Sequence, residues 1–231
     1  MKIVILNETD STNEYVKRNA ADFADGDAVA AFCQTNGKGT SGRSFVSPVG
    51  GLYVSFVVKG KHALPSSLVT PAAAVAVYKA VKRVFGVSLG IKWVNDLYKD
   101  EKKVCGILCE NHNSYGIIGV GINVSPPKNG FPPDLTIAGT VLNRSVSAQK
   151  KVRLAKLIRK YVFAYLNSDG EKTLELYRKN SVVIGKKVEV TRGEEQTEGT
   201  AAYITDEGYL AIDTAHGEKT VFSGTLRFLD R

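Results

Sequence analysis

Three glycines and two cations fall within Gln34-Thr-Asn-Gly-Lys-Gly-Thr-Ser-Gly-Arg43. Gly37, Gly39 and Gly42 permit positive φ angles and a close approach of backbone to ligand, while Lys38 and Arg43 set positive charge beside it. The chemistry on offer is anion binding. The usual phosphate motifs are excluded: the spacing from glycine to a Lys-Ser/Thr pair is absent, and the G-x-G-x-x-G pattern lacks a clear following helix. A flexible hairpin loop rich in glycine and serine accounts for the same residues equally well, so neighbouring motifs must decide. These are Lys92-Trp-Val-Asn-Asp96, Lys103-Val-Cys-Gly-Ile-Leu-Cys-Glu110 and Gly119-Val-Gly-Ile-Asn-Val124. Each alone is a weak signal; the ordered set is a strong one.

Elements able to position these motifs can be read from periodicity. Ile3 to Leu6 reads as a strand, and Ser11-Thr-Asn-Glu14 has the S-x-x-E form of a capping box opening a helix to about Ala21. Strands are expected at Ala28 to Cys33, Leu52 to Val58, Ile91 to Trp93, Val104 to Glu110 and Ile117 to Val124, with a helix from Leu68 to Phe85. Two more helices follow, at Ala148 to Leu166 and Glu171 to Lys179. Short strands at Lys187 to Thr191, Gly199 to Ile204, Tyr209 to Asp213, Lys219 to Phe222 and Thr225 to Leu229 then suggest a small β-barrel. The expected class is α+β, a mixed sheet with packed helices plus the barrel, with a boundary near Ser181 separating 1–180 from 181–231. The proline-containing stretch Ser125 to Asp134 reads equally as a mobile lid or a plain connector.

The 231 residues, 43% of them hydrophobic, suffice for a proper core. No apolar run approaches the roughly 20 residues of a membrane span, and Met1 to Leu6 is too short for a signal peptide, so a soluble cytoplasmic protein is expected. Cys33, Cys105 and Cys109 lie in apolar segments and read as reduced core cysteines rather than as part of a zinc site. The net charge of +8 is spread out except at Lys150, Lys151, Arg153, Lys156, Arg159 and Lys160. Leu154, Leu157, Ile158, Tyr161 and Tyr165 recur at helical spacing between them, which reads as an amphipathic helix with a solvated basic face.

Taken in order, Asp10-Ser-Thr-Asn13, Gln34 with its glycine loop, Ser47-Pro48 with Gly51-Leu-Tyr53, Lys92-Trp-Val-Asn-Asp96, Lys103 with Gly106-Ile-Leu, and Gly121-Ile-Asn123 closely resemble the biotin protein ligase family. The resemblance runs from Asp10 to about Arg227. It implies a biotin-lipoyl ligase core of the class II synthetase type, a C-terminal SH3-like domain, and biotin and ATP as substrates with Mg2+. In the implied reaction, biotin is activated as biotinyl-5′-AMP and passed to a lysine of a biotin carboxyl carrier protein, the acetyl-CoA carboxylase subunit. No protein nucleophile is needed, and the sequence shows no nucleophile elbow and only His62, His112 and His216, so catalysis should be positioning plus charge stabilisation.

By the same resemblance, Ser11, Thr12, Asn13 and Gln34 meet the polar ring of biotin, with Gly37, Lys38, Gly39 and Gly106 also on the biotin side. Lys38, Arg43, Phe45, Lys92, Asn95, Asp96, Lys103 and Asn123 fall to ATP or the adenylate. Lys103 and Arg43 are the catalytic cations, and Lys92, Asn95 and Asp96 shape the nucleotide side or orient magnesium, whose ligands stay unassigned. The family loop commonly reads Gly-Arg-Gly-Arg-Arg-Gly-Arg; here Lys38, Thr40 and Ser41 replace three arginines, which predicts weaker retention of the adenylate. Val94 and Phe45 are milder departures, from proline and tryptophan. The catalytic motifs begin so early that the helix-turn-helix of repressor-type relatives has no room, so DNA binding is not expected. Sheet-edge homodimers occur in the family and leave a homodimer open. Two alternatives stand beside this reading, a lipoate or octanoate ligase and a non-enzymatic biotin or nucleotide sensor.

Overall fold

The computed structural model describes residues 2–229. A seven-stranded sheet is built from β1 (Ile3–Leu6), β2 (Ala28–Ala31), β3 (Leu52–Val58), β4 (Gly90–Lys92), β5 (Asp96–Lys99), β6 (Lys102–His112) and β7 (Tyr115–Ile122). Its order is β1-β2-β3-β7-β6-β5-β4. The β1–β2 pair is parallel and every other pair is antiparallel, so the sheet is mixed as expected.

Alternation along the strands assigns the two faces. Leu52, Val54 and Phe56 of β3 and Ile118, Val120 and Ile122 of β7 enter the main core, under α2 (Val69–Phe85), α3 (Ala148–Leu166) and α4 (Glu171–Lys179). Alanines at 72, 73, 74, 76 and 80 keep the buried face of α2 thin, and Gly86 closes that helix in the left-handed region (φ 74). On the opposite face α1 (Thr12–Arg18) packs beside β2, β3 and β7 around Val16, Phe23, Val29, Val57, Tyr115 and Ile117.

The C-terminal strands β8 (Lys187–Arg192), β9 (Glu195–Ile204), β10 (Leu210–Thr214), β11 (Gly217–Val221) and β12 (Thr225–Phe228) form an antiparallel sheet in the order β11-β10-β9-β8-β12. Its edge strands β11 and β12 are not paired with each other among the described residues, so the expected barrel is an open sheet. Val188, Val190, Ala201, Ile204, Leu210, Ile212 and Leu226 join the main core. Trp93 Nε1, just past β4, donates to Gly208 O at 3.2 Å, and Arg178 Nε of α4 donates to Ile204 O at 2.8 Å, tying the C-terminal sheet to the end of β4 and to α4.

Some local expectations change. Strand β5 was not foreseen, because four residues starting at Asp96 carry too little pattern. The N-terminal helix stops at Arg18 and a separate 3-10 turn covers Ala20–Asp22. Within the basic run, Lys151 is buried with Nζ 5.6 Å from the Phe32 ring, and burial lowers its pKa. Arg159 donates to Gly26 O rather than facing solvent. No helix is long and apolar enough to cross a membrane.

Candidate active site

Cross-strand register places Tyr53 opposite Gly121, Gly121 opposite Gly106, and Gly106 opposite Asp96. The next row pairs Ser55 with Gly119 and Gly119 with Leu108. These rows carry a bare glycine floor where a longer side chain has no room. A β-carbon on Gly121 would stand 2.7 Å from Phe45 Cε1, one on Gly106 would stand 2.9 Å from Phe45 Cε2, and one on Gly119 would collide with Asn13 Oδ1.

One pocket over this floor brings together Ser11, Thr12, Asn13, Gln34, Lys38, Gly39, Arg43, Phe45, Asn95, Lys103 and Gly106 from the sequence reading. Gly37 lies outside its lining, in an adjoining groove that Gln34 and Phe45 share. Lys92, Asp96 and Asn123 are not among the residues that line it.

At one end the N-terminus of α1 meets the loop that follows β2. Gln34 Oε1 accepts from Thr12 N at 2.8 Å and from Thr12 Oγ1 at 3.2 Å, while Gln34 Nε2 donates to Ser47 Oγ at 2.9 Å. The Ser47 hydroxyl donates to Phe45 O at 2.7 Å. Ser11 is the N-cap residue but makes no side-chain capping bond, and Glu14 pairs with Lys17 instead of closing the capping box. The Ser11 hydroxyl, buried beside the pocket, is therefore not spent on the helix.

At the other end Lys103 Nζ stands 2.6 Å from Asp96 Oδ1 and over the Phe45 ring, 5.7 Å from its centroid. A β-carbon on Gly106 would lie 3.4 Å from Lys103 Nζ, so the ammonium hangs over the floor. The chain beyond β7 returns to hold Lys103 by its backbone: Lys103 N donates to Ile137 O at 2.8 Å and Gly139 N donates to Lys103 O at 2.9 Å. Asn95 Nδ2 donates to Ile107 O at 2.8 Å, and the Asn123 amide oxygen is buried without a partner.

Behind Asp96, Lys92 lies between Tyr98 and Phe228, with Nζ 5.2 and 5.0 Å from the two rings. Burial is the largest influence and lowers its pKa; the Asp96 charge works against this, and the Lys103 charge adds a smaller lowering. Arg43 folds back on its own loop, with Nη2 2.8 Å from Thr40 Oγ1. Ser55 and Glu110, which the sequence reading did not single out as site residues, do not line the pocket but both hydrogen-bond Asn13, which does. A serine in the apolar strand Leu-Tyr-Val-Ser-Phe-Val-Val was a signal for the first, and Glu110 closes a motif already singled out.

Comparison with known proteins fits this arrangement. Residues 6–123 match the Biotin/lipoate A/B protein ligase family, and residues 183–226 match the Biotin protein ligase C terminal domain. The chain belongs to that ligase family. The Mycobacterium tuberculosis protein named Biotin--[acetyl-CoA-carboxylase] ligase is 30% identical over 230 residues, covering 94% of this chain and 84% of the relative. The Bacillus subtilis Bifunctional ligase/repressor BirA is 29% identical over 96% of this chain and 71% of its own length. A solved ligase structure, the Aquifex aeolicus biotin protein ligase in complex with biotin and ATP, superposes with a TM-score of 0.85 at 26% identity, covering 98% of this chain and 99% of that one. Within the biotin/lipoate ligases this chain therefore matches over both the catalytic segment and the C-terminal sheet.

Proposed function

We propose that this protein activates biotin with ATP and transfers it to a lysine of a biotin carboxyl carrier protein. The observation that carries the reading is the polarity of one pocket. A hydrogen-bonding end at Thr12, Asn13 and Gln34 and a cationic end at Lys103 are joined by a glycine floor. Biotin has a matching form, with a polar ureido ring at one end and a carboxylate at the other.

In the first step a carboxylate oxygen attacks the α-phosphorus of ATP; a new O–P bond forms, the α–β P–O bond breaks, and pyrophosphate leaves. Lys103, held over the floor, offsets the charge gathering on the α-phosphate. Lys38 and Arg43 lie on the loop at the same side, and Arg43 reaches phosphate by exchanging its bonds to Thr40. In the second step the neutral acceptor amine attacks the activated carbonyl; a C–N bond forms, the acyl C–O bond to phosphate breaks, AMP leaves, and the amine's extra proton goes to solvent. The glycine floor lets the backbone stay close to the reacting chain and excludes water beneath it.

Magnesium suits the donor set in a limited way. Asp96 supplies one carboxylate and Asn123 a buried amide oxygen lacking a partner, and no cluster of three histidine, cysteine or acidic side chains forms among the described residues. An ion held by these residues would neutralise charge on the nucleotide phosphates.

The test is to incubate the protein with biotin, ATP, magnesium and a carrier domain and to measure biotin mass on the acceptor lysine together with pyrophosphate. Biotin-dependent release of pyrophosphate and transfer to the lysine are expected. Release that depends on lipoate instead of biotin would overturn the substrate assignment, and tight biotin binding without either product would favour a sensor.

A further inference from the structure

Charge is spread unevenly over this fold. Helices α2 and α3 together carry nine lysines and arginines and not one carboxylate. The whole chain has 31 lysines and arginines against 23 acids; less those nine, the remainder holds 22 against 23 and is close to neutral. The net charge of +8 is therefore the property of one helical layer. Helix α4, on the same side of the sheet, is balanced, with Glu171 and Glu175 beside Lys172, Arg178 and Lys179.

Three of the nine are tied into the fold. Lys79 Nζ lies 5.4 and 5.7 Å from the Tyr161 and Tyr165 rings and joins the two helices, Lys151 is buried over Phe32, and Arg159 donates to Gly26 O. The other six, Lys82, Arg83, Lys150, Arg153, Lys156 and Lys160, are exposed, and none forms an ion pair among the described residues. Arg153, Lys156 and Lys160 stand three and four positions apart, on one helical face, where like charges repel. The layer lies across the large sheet from the pocket. Helices α2 and α3 cover the face of Ile118, Val120 and Ile122, whereas a β-carbon on Gly119 or Gly121 would meet Asn13 or Phe45 on the other face.

We propose that the outward face of α2 and α3 binds the phosphate backbone of a nucleic-acid duplex without regard to sequence. Unpaired cations gathered on one side are the electrostatic footprint of such a surface. From Lys150 to Lys160 the helix rises about 15 Å, a length over which a duplex presents about nine phosphate charges. No large apolar side chain of either helix is exposed. The face therefore lacks the apolar centre of a protein interface and the residues that anchor a peripheral protein in a bilayer. Both helices lie side by side on the sheet, so their long side chains reach phosphates and leave base edges unread. This differs from operator recognition by a helix-turn-helix, and it stands whether or not biotin is the substrate. A duplex held on this layer leaves the pocket on the other side of the sheet uncovered.

Fluorescence anisotropy of the full chain with labelled DNA duplexes of two unrelated sequences, and with an RNA duplex, tests this over a salt series. The two DNA sequences should bind alike, with a Kd of about 10⁻⁶–10⁻⁴ M near physiological salt. The logarithm of affinity should fall against the logarithm of salt with a slope of about −3.5 to −5.5, as about four to six phosphate contacts require. Equal binding of DNA and RNA, or a preference for either, supports the proposal and names the source of the backbone. Lys156→Glu with Lys160→Glu should weaken binding at low salt about 30-fold or more and flatten the slope by about 1.8. Lys186→Glu with Lys187→Glu makes the same change in net charge at exposed positions of the C-terminal sheet and should stay within about 3-fold of wild type. Should the first pair lower the melting temperature, Lys156→Gln with Lys160→Gln carries the same comparison, with a loss of about 10-fold or more. The proposal is overturned if no duplex binds at low salt, or if both glutamate pairs weaken binding equally. Binding to phosphatidylglycerol vesicles that a duplex does not compete away would also overturn it, in favour of a membrane surface.

Discussion

Replacing Lys103 by alanine removes one charge and frees another. The backbone of Lys103 is held on both sides by Ile137 and Gly139, so the strand should stay in place and the effect should be electrostatic. Losing a charged hydrogen bond to the α-phosphate costs about 1.5–3 kcal/mol in the transition state. Asp96 then loses its partner. Because its Oδ1 lies 2.6 Å from Nζ, it lies no farther than about 5.4 Å from any oxygen that Lys103 grips at an ordinary ~2.8 Å. Both side chains are mostly buried, 27% and 19% exposed, so an effective dielectric of about 20–40 applies and the uncovered repulsion adds about 1.5–3 kcal/mol. The sum predicts a fall of about 10²- to 10⁴-fold in the rate of adenylate formation. Single-turnover quench with biotin and ATP measures it. The further variant Lys103→Ala with Asp96→Asn removes the repulsion and should be faster than Lys103→Ala by about 10-fold or more. A double variant that is slower would mean that Asp96 is needed for magnesium more than it repels phosphate, and would refute the reasoning.

Three further outcomes follow from the same geometry. Gly121→Ala places its β-carbon 2.7 Å from the Phe45 ring and should push that ring toward the ligand space, weakening biotin about 10-fold by calorimetry; unchanged affinity would show that the floor has slack. Lys38→Arg with Thr40→Arg restores two guanidinium groups and should slow escape of the adenylate, followed by its appearance in a filtrate; an unchanged escape rate would set the loop arginines aside. Glu110 is desolvated, which raises its pKa, but the Asn13 hydrogen bond and Lys17 outweigh this and hold it below the ordinary 4.5. Its ion pair with Lys17 is therefore complete above that value and is lost only as pH falls through the lower folded value, so this group should leave the melting temperature flat from pH 8 to about 5. A loss centred between about pH 6 and 7 would point to a different titrating group.

What the sequence revealed depended on pattern length. Helices α2, α3 and α4 and strand β3 carry enough apolar repeats to be bounded within a residue, while β5 has four residues and went unseen. The glycine motifs announced a close approach of backbone to something. That the close neighbours on the glycine floor are Asn13 and Phe45 is a matter of long-range register between β3, β7 and β6, which no local spacing encodes. Ser11 shows how a local rule yields to its surroundings. The S-x-x-E pattern is present, yet Lys17 draws Glu14 away and the capping bond does not form. Glu110 was visible as the last letter of a motif, but its meaning lies in a contact 97 positions away along the chain.

The seating of the C-terminal sheet has a consequence for how this protein can be taken apart. Trp93, next to Lys92, hangs its indole N–H on a carbonyl of the turn between β9 and β10, and Phe228 of β12 forms one wall around the Lys92 ammonium. With Val188, Ile204 and Leu226 sharing the core under α2, the two sheets have no independent interiors. A fragment ending before β8 would expose that core and uncover a buried cation at once, so the chain should melt in one cooperative transition. Exchange of the C-terminal sheet between relatives would succeed only when the partners of Trp93 and Lys92 travel with it.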